Sequence, residues 1–143
     1  LCTVRGVPKV SYIELFGHWR ESTEFRDPDF PESMNPPAAR YAHWKKVLTI
    51  RHESKALIRG SMKDVWKSGD AMHAYLREYE DEKVVVVVNF HDKEATSRLD
   101  LSFLDKGTVL ADAFNDGKFT VKTPNNFKIS VSPHGSSILR VEK

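Results

Sequence analysis

At 143 residues the chain is long enough for one ordinary domain with its own core and too short for two full-sized domains and a linker. Its residues are 40% hydrophobic and 29% charged, the profile of a folded globular protein, and its 22 Lys and Arg are interspersed with 20 Asp and Glu, as in Arg51-His52-Glu53 and Arg77-Glu78, which speaks against the basic stripe of a nucleic-acid binder. The single cysteine, Cys2, makes no intramolecular disulfide, and the longest apolar run, residues 84–88, is strand-sized where a membrane helix needs about 20 residues.

The opening Leu1-Cys2-Thr3-Val4-Arg5 has no initiator Met and no apolar segment with a cleavage site, and it reads as the start of a piece cut from something longer. Gly6-Val7-Pro8 is a turn signal entering a short strand that stops near Gly17. Val10, Tyr12 and Phe16 fall on one face and Ile13 and Leu15 on the other, which predicts a strand covered on both sides, as in a parallel sheet whose neighbours lie elsewhere. Residues 18–37 have no period, are punctuated by Pro28, Pro31, Pro36 and Pro37, and carry Trp19, Phe25 and Phe30; an aromatic loop of this length points to function. A helix follows, with Asn35 as N-cap and Pro36 at its first position. Tyr41, Trp44, Val47, Leu48 and Arg51 recur at helical spacing to about Glu53, and Trp44 is read as core.

After Lys55 the pattern is extended to the end. Residues 71–79 and 83–90 form two strands joined by the acidic stretch Glu80-Asp81-Glu82-Lys83, a hairpin tip of structural role. Leu99, Leu101 and Phe103 alternate with Arg98, Asp100 and Ser102 and predict a strand with one wet face. Asn115-Asp116-Gly117 is a turn between strands at 108–112 and 119–122, and strands at 127–131 and 137–141 complete the set. Short strands with turns about every ten residues predict an antiparallel sandwich. The boundary falls near Arg59-Gly60, dividing residues 1–59 from residues 60–143.

Chemistry is sparse. Cleaving a sugar bond needs an acid and a carboxylate on opposite sides of it. Asp27 and Asp29 in the loop and Glu14 near the first strand's end are the carboxylates placed to reach a pocket, although loop carboxylates are more often solvated. No nucleophile elbow and no glycine-rich phosphate loop occurs, and Ser132-Pro133-His134-Gly135-Ser136 reads as a turn. His43 and His52, nine positions apart, share no face closely, so no metal and no cofactor is assigned. Trp19 and Trp66, outside the helical stripe, could offer flat faces to sugar rings.

Together these segments resemble the end of an enzyme of the α-amylase family, glycoside hydrolase family 13. Gly6-Val7-Pro8 and Tyr12 match the turn and last barrel strand of that family, with Ile13 in place of its glycine and Leu15 in place of its glutamate. Arg26-Asp27-Pro28-Asp29-Phe30-Pro31 is similar to the loop after the eighth strand in its oligosaccharide- and cyclomaltodextrin-cleaving branches. Arg40 to Ile58, followed by Gly60, resembles the last barrel helix and its exit, and residues 71–90 resemble the first hairpin of the C-terminal domain.

The resemblance implies a mainly β chain: an antiparallel β-sandwich of about seven to eight strands, preceded by the remnant strand, loop and helix of a (β/α)8 barrel. It implies a retaining α-glucan hydrolase whose three catalytic carboxylates end barrel strands four, five and seven, all upstream of Leu1, so that no catalytic residue is assigned here and the chain alone is inactive. Substrate contact is expected at Tyr12, Trp19, Arg26 and Asp27. The expected partners are an α-glucan or maltooligosaccharide and the missing barrel or a second copy, with no nucleic acid and no membrane. The alternatives are a non-catalytic carbohydrate-binding sandwich using Trp19 or Trp66 and a structural partner of a separate catalytic chain.

Overall fold

Five consecutive valines, Val84 to Val88, leave no residue for a wet face, and a strand of this kind needs apolar cover on both sides. The computed structural model, which describes residues 2–9 and 38–142, shows how both sides are covered. The expected strand at 10–16 and the aromatic loop at 18–37 lie outside the described residues.

Among the described residues nine strands form two antiparallel sheets: β1 (Ser61–Asp64), β2 (Trp66–Ser68), β3 (Met72–Tyr79), β4 (Glu82–Asn89), β5 (Ala95–Leu99), β6 (Val109–Asp112), β7 (Lys118–Thr120), β8 (Phe127–Val131) and β9 (Ser136–Val141). Six lie in the order β1-β3-β4-β9-β6-β7 and three in the order β2-β5-β8. The long hairpin pairs Tyr79 with Glu82 across a tip at which Glu80 takes a left-handed φ of 53°.

β1 and β2 are one extended segment shared by both sheets. Ser61 to Asp64 pair with β3; the buried Val65 then donates its N–H to Ala74 O (3.1 Å) and accepts from Asp100 N (2.8 Å), and Trp66 pairs with Leu99. Strands that switch sheets in this way make the corners of sandwiches.

Alternation along β3 and β4 divides the core in two. Met72, Ala74, Leu76, Val85 and Val87 point between the sheets, where they meet Leu99, Leu110, Phe127, Ile129 and Leu139. Tyr75, Val84 and Val86 point the other way, against Ile50, Ala56 and Leu57 of two helices, α1 (Ala38–His52) and α2 (Lys55–Arg59). The larger sheet is therefore the middle of three layers, and β4 runs through its centre.

The expected mainly β sandwich is present, with differences. The five-residue α2 stands where extended chain was expected, because Ser54 caps it: its Oγ accepts from Leu57 N at 3.1 Å. The Glu82 carboxylate, at the hairpin tip, reinforces that cap from the sheet, accepting from Ser54 Oγ (2.6 Å) and Ala56 N (2.9 Å). Of the acidic tip expected to be structural, Glu82 has that role. The strand expected through Phe103 ends at Leu99, since Asp100 Oδ1 accepts from Ser102 N and turns the chain. Leu101 is nonetheless fully buried, plugging the sandwich from a turn. The two exposed strands β1 and β2 bring the count above the seven to eight expected.

Candidate functional site

Helix α1 packs one face on the sandwich and turns the other away from it. On the inner side Ile50 is buried and its carbonyl accepts from Arg140 Nη2 at 2.9 Å, the His43 ring stands edge-on to Phe114 with centroids 5.3 Å apart, and Lys46 reaches Asp116 at 3.3 Å. On the outer side Tyr41 is 52% and Leu48 36% exposed, and Trp44 is half-buried beside them. These three line a groove of about 400 Å³ that ends at His52 and Glu53. Trp44, read as core from its spacing, is half-buried, lines this groove and stands outside both buried clusters. An amphipathic helix ordinarily places polar residues outward, and here Tyr41 and Leu48 are apolar residues on the exposed side.

Where α1 ends, two buried guanidiniums hold the first residues of the chain. Arg51 Nη1 donates to the carbonyls of Cys2 (2.9 Å), Val4 (3.2 Å) and Leu57 (2.7 Å), and Nη2 donates to Gly6 O. Arg77, fully buried on β3, donates from Nη1 to Thr3 O (2.6 Å), from Nε to Ser61 O (3.0 Å) and from Nη2 to Gly60 O (3.0 Å). The Tyr75 hydroxyl meets Thr3 Oγ1 at 2.6 Å. Burial, and after it the neighbouring Arg51, pushes the Arg77 pKa below the ordinary guanidinium value; burial pushes that of Tyr75 up, against the opposing pull of Thr3 and Arg77. Gly60 sits at the crossing point, where a Cβ would come within 2.3 Å of Ala56 O and 2.7 Å of Glu78 O.

The positions expected to touch substrate, Tyr12, Trp19, Arg26 and Asp27, and the loop carboxylates Glu14 and Asp29, lie outside the described residues. Trp66 is described and 41% exposed, at the edge of the smaller sheet. The buried carboxylate Asp112 is engaged in structure: it accepts from the backbone N–H groups of Phe114, Asn115 and Ile138 and from Asn115 Nδ2. Among the described residues no group of three or more His, Cys, Asp or Glu could hold a metal, and no helix is long and apolar enough to cross a membrane. Arg51 and Arg77 were not singled out from the sequence. The signal available was positional: Arg51 falls in the helix's apolar period, and Arg77 shares the helix-facing side of β3 with Tyr75 and Tyr79.

The described residues thus form an antiparallel β-sandwich with a helical layer packed on its larger sheet. Known structures share the fold. A noncanonic maltogenic α-amylase of Thermotoga neapolitana superposes with a TM-score of 0.77 over 100% of this chain and 34% of that one, at 21% identity. The α-amylase of Geobacillus thermoleovorans gives 0.69 over 77% of this chain and 24% of that one, at 18% identity.

The family model described as maltogenic amylase, C-terminal domain, matches residues 65–138, just over half of the chain, and the chain belongs to that family. Alpha-amylase 3 of Dictyoglomus thermophilum is 30% identical over 105 residues, 73% of this chain and 19% of its own length. An alpha-glucosidase of Schizosaccharomyces pombe is 24% identical over 98 residues, 68% of this chain and 17% of its own length. The chain thus spans under a fifth of the length of the curated relatives it matches, and its resemblance to the C-terminal part of α-amylase-family glycoside hydrolases holds.

Proposed function

We propose that residues 1–59 are the closing strand, loop and helix of a catalytic barrel and residues 60–143 its trailing sandwich, in an enzyme that cleaves α-1,4- or α-1,6-linked glucans such as maltooligosaccharides. The observation that supports this reading is the exposure of the apolar residues Tyr41 and Leu48 on α1, on the side away from the face docked on the sandwich. A barrel's last helix needs apolar contacts on both flanks, toward its neighbouring strands and toward the domain that follows.

In this reading the acid, the nucleophile and the stabilising carboxylate belong to earlier barrel strands, because a barrel gathers its reacting groups from several strand ends. Tyr12, Trp19, Arg26 and Asp27 border the cleft: the arginine and the aspartate bond sugar hydroxyls and the aromatics stack on sugar rings. The sandwich clamps the end of the barrel in place. The test compares this chain with the same chain preceded by its encoded upstream sequence, both offered maltooligosaccharides. Hydrolysis is expected from the longer protein only, and turnover by the shorter one overturns the reading.

A second reading, a carbohydrate-binding sandwich, draws support from the exposure of Trp66. Calorimetry with maltooligosaccharides separates the two. Binding by this chain that is lost in Trp66→Ala supports the module, and no heat of binding removes it.

A further inference from the structure

Seven backbone carbonyls converge on the side chains of Arg51 and Arg77: those of Cys2, Thr3, Val4 and Gly6 from the start of the chain, and those of Leu57, Gly60 and Ser61 from the junction between α2 and β1. Two features make this more than packing. Burying two guanidiniums side by side is costly, and a chain that needed only to fill this space would do so more cheaply with aliphatic side chains. The acceptors are main-chain groups, so what is fixed is the path of residues 2–6, in the way that planar, forked donors fix direction as well as distance. A lysine at either position has a single nitrogen and could not span carbonyls lying on different sides.

We infer that Arg77, with Arg51 and the Tyr75 hydroxyl, is a positioning device: strand β3 of the sandwich sets the course of residues 2–6 and thereby the alignment of the cleft-bordering part of the enzyme into which those residues lead. The inference rests on the barrel-end reading above. It assigns to the sandwich an effect on substrate binding exerted through the chain's opening segment, with no sandwich residue touching substrate.

The test uses the enzyme with its encoded upstream sequence and the variants Arg77→Lys and Tyr75→Phe, the second retaining both guanidiniums in case the first fails to fold. Hydrogen exchange is followed at residues 2–9 and at β3 and β4, and KM and kcat are measured on a maltooligosaccharide. The expected result is faster exchange at residues 2–9 with protection of β3 and β4 retained. KM should rise on the order of tenfold in Arg77→Lys and less in Tyr75→Phe, with kcat held because the reacting carboxylates stand on other strands. A purely structural role would lower the active fraction, and with it kcat, at constant KM; that outcome, or unchanged exchange at residues 2–9, overturns the inference. An enzyme that hydrolyses no α-glucan even without substitution sinks the barrel-end reading instead, and the exchange data still decide whether the clamp exists.

Discussion

The two faces of the larger sheet are built from the same strands and held by different forces. Between the sheets, Leu76, Val85, Val87, Leu99, Leu110 and Leu139 form a predominantly apolar core whose stability comes from area removed from water. On the helix side the apolar residues Leu57, Val84 and Val86 are joined by Arg77 and Arg51, whose guanidiniums donate to particular carbonyls, and by Tyr75, whose hydroxyl meets Thr3 Oγ1. Apolar packing tolerates small slips, whereas directed hydrogen bonds do not. The difference separates a core that makes a domain from a joint that orients one.

Substitutions on either side should break or sharpen this contrast. Leu110→Ala opens a cavity between the sheets and should cost about 2–5 kcal/mol of unfolding free energy by denaturant titration, with all strands melting together. If the helices outlasted the strands, the contrast would be misplaced. Gly60→Ala forces a methyl group against two backbone carbonyls at the joint and should cost about 1–3 kcal/mol. In that variant exchange should rise first in residues 55–61 and only later in β4.

Ser54→Ala removes the cap of α2 and should cost roughly 1 kcal/mol, again read first as exchange in the helix layer. Tyr75 supplies a pH test. Its folded pKa is raised, so the unfolded chain loses that proton first, and the contribution present below the ordinary tyrosine range is lost as pH rises through the folded value. Tyr75→Phe should flatten this alkaline loss in thermal melts. The smallest effect is expected far from both faces: hydrogen bonds from Ser102, side chain first and backbone second, hold the Asp100 pKa below the usual carboxylate range, and Ser102→Ala should move its NMR titration back toward that range.

Much of the sandwich was legible. Strands β3, β4, β8 and β9 announce themselves by β-branched, aromatic or aliphatic residues and by turn residues at their ends, and each lies within a residue or so of its expected span. What escaped had no period to read. Ser61–Asp64 and Trp66–Ser68 are exposed throughout, so no alternation marks them, and α2 is shorter than two helical turns. Leu101 and Phe103 alternate without being a strand, because side chains that plug a core from a turn can mimic the period of two. The substrate-side expectation at Tyr12 and Arg26 rests on resemblance, and Trp19 and Asp27 stand out besides as a loop aromatic and a loop carboxylate. The arginine clamp was hidden because a charged residue is ordinarily read as solvent-facing, and only its acceptors, distant in sequence, reveal otherwise.

Because Val65 is bonded to both sheets, the nine strands amount to one continuous ribbon creased at a single residue. Its two halves cannot shear past each other at that crease without breaking main-chain bonds. Any parting must begin at the opposite rim, between β7 and β8, where Lys118, Lys122 and Lys128 gather around Phe119 and Phe127. That rim is where the earliest solvent entry is to be sought when the protein is stressed.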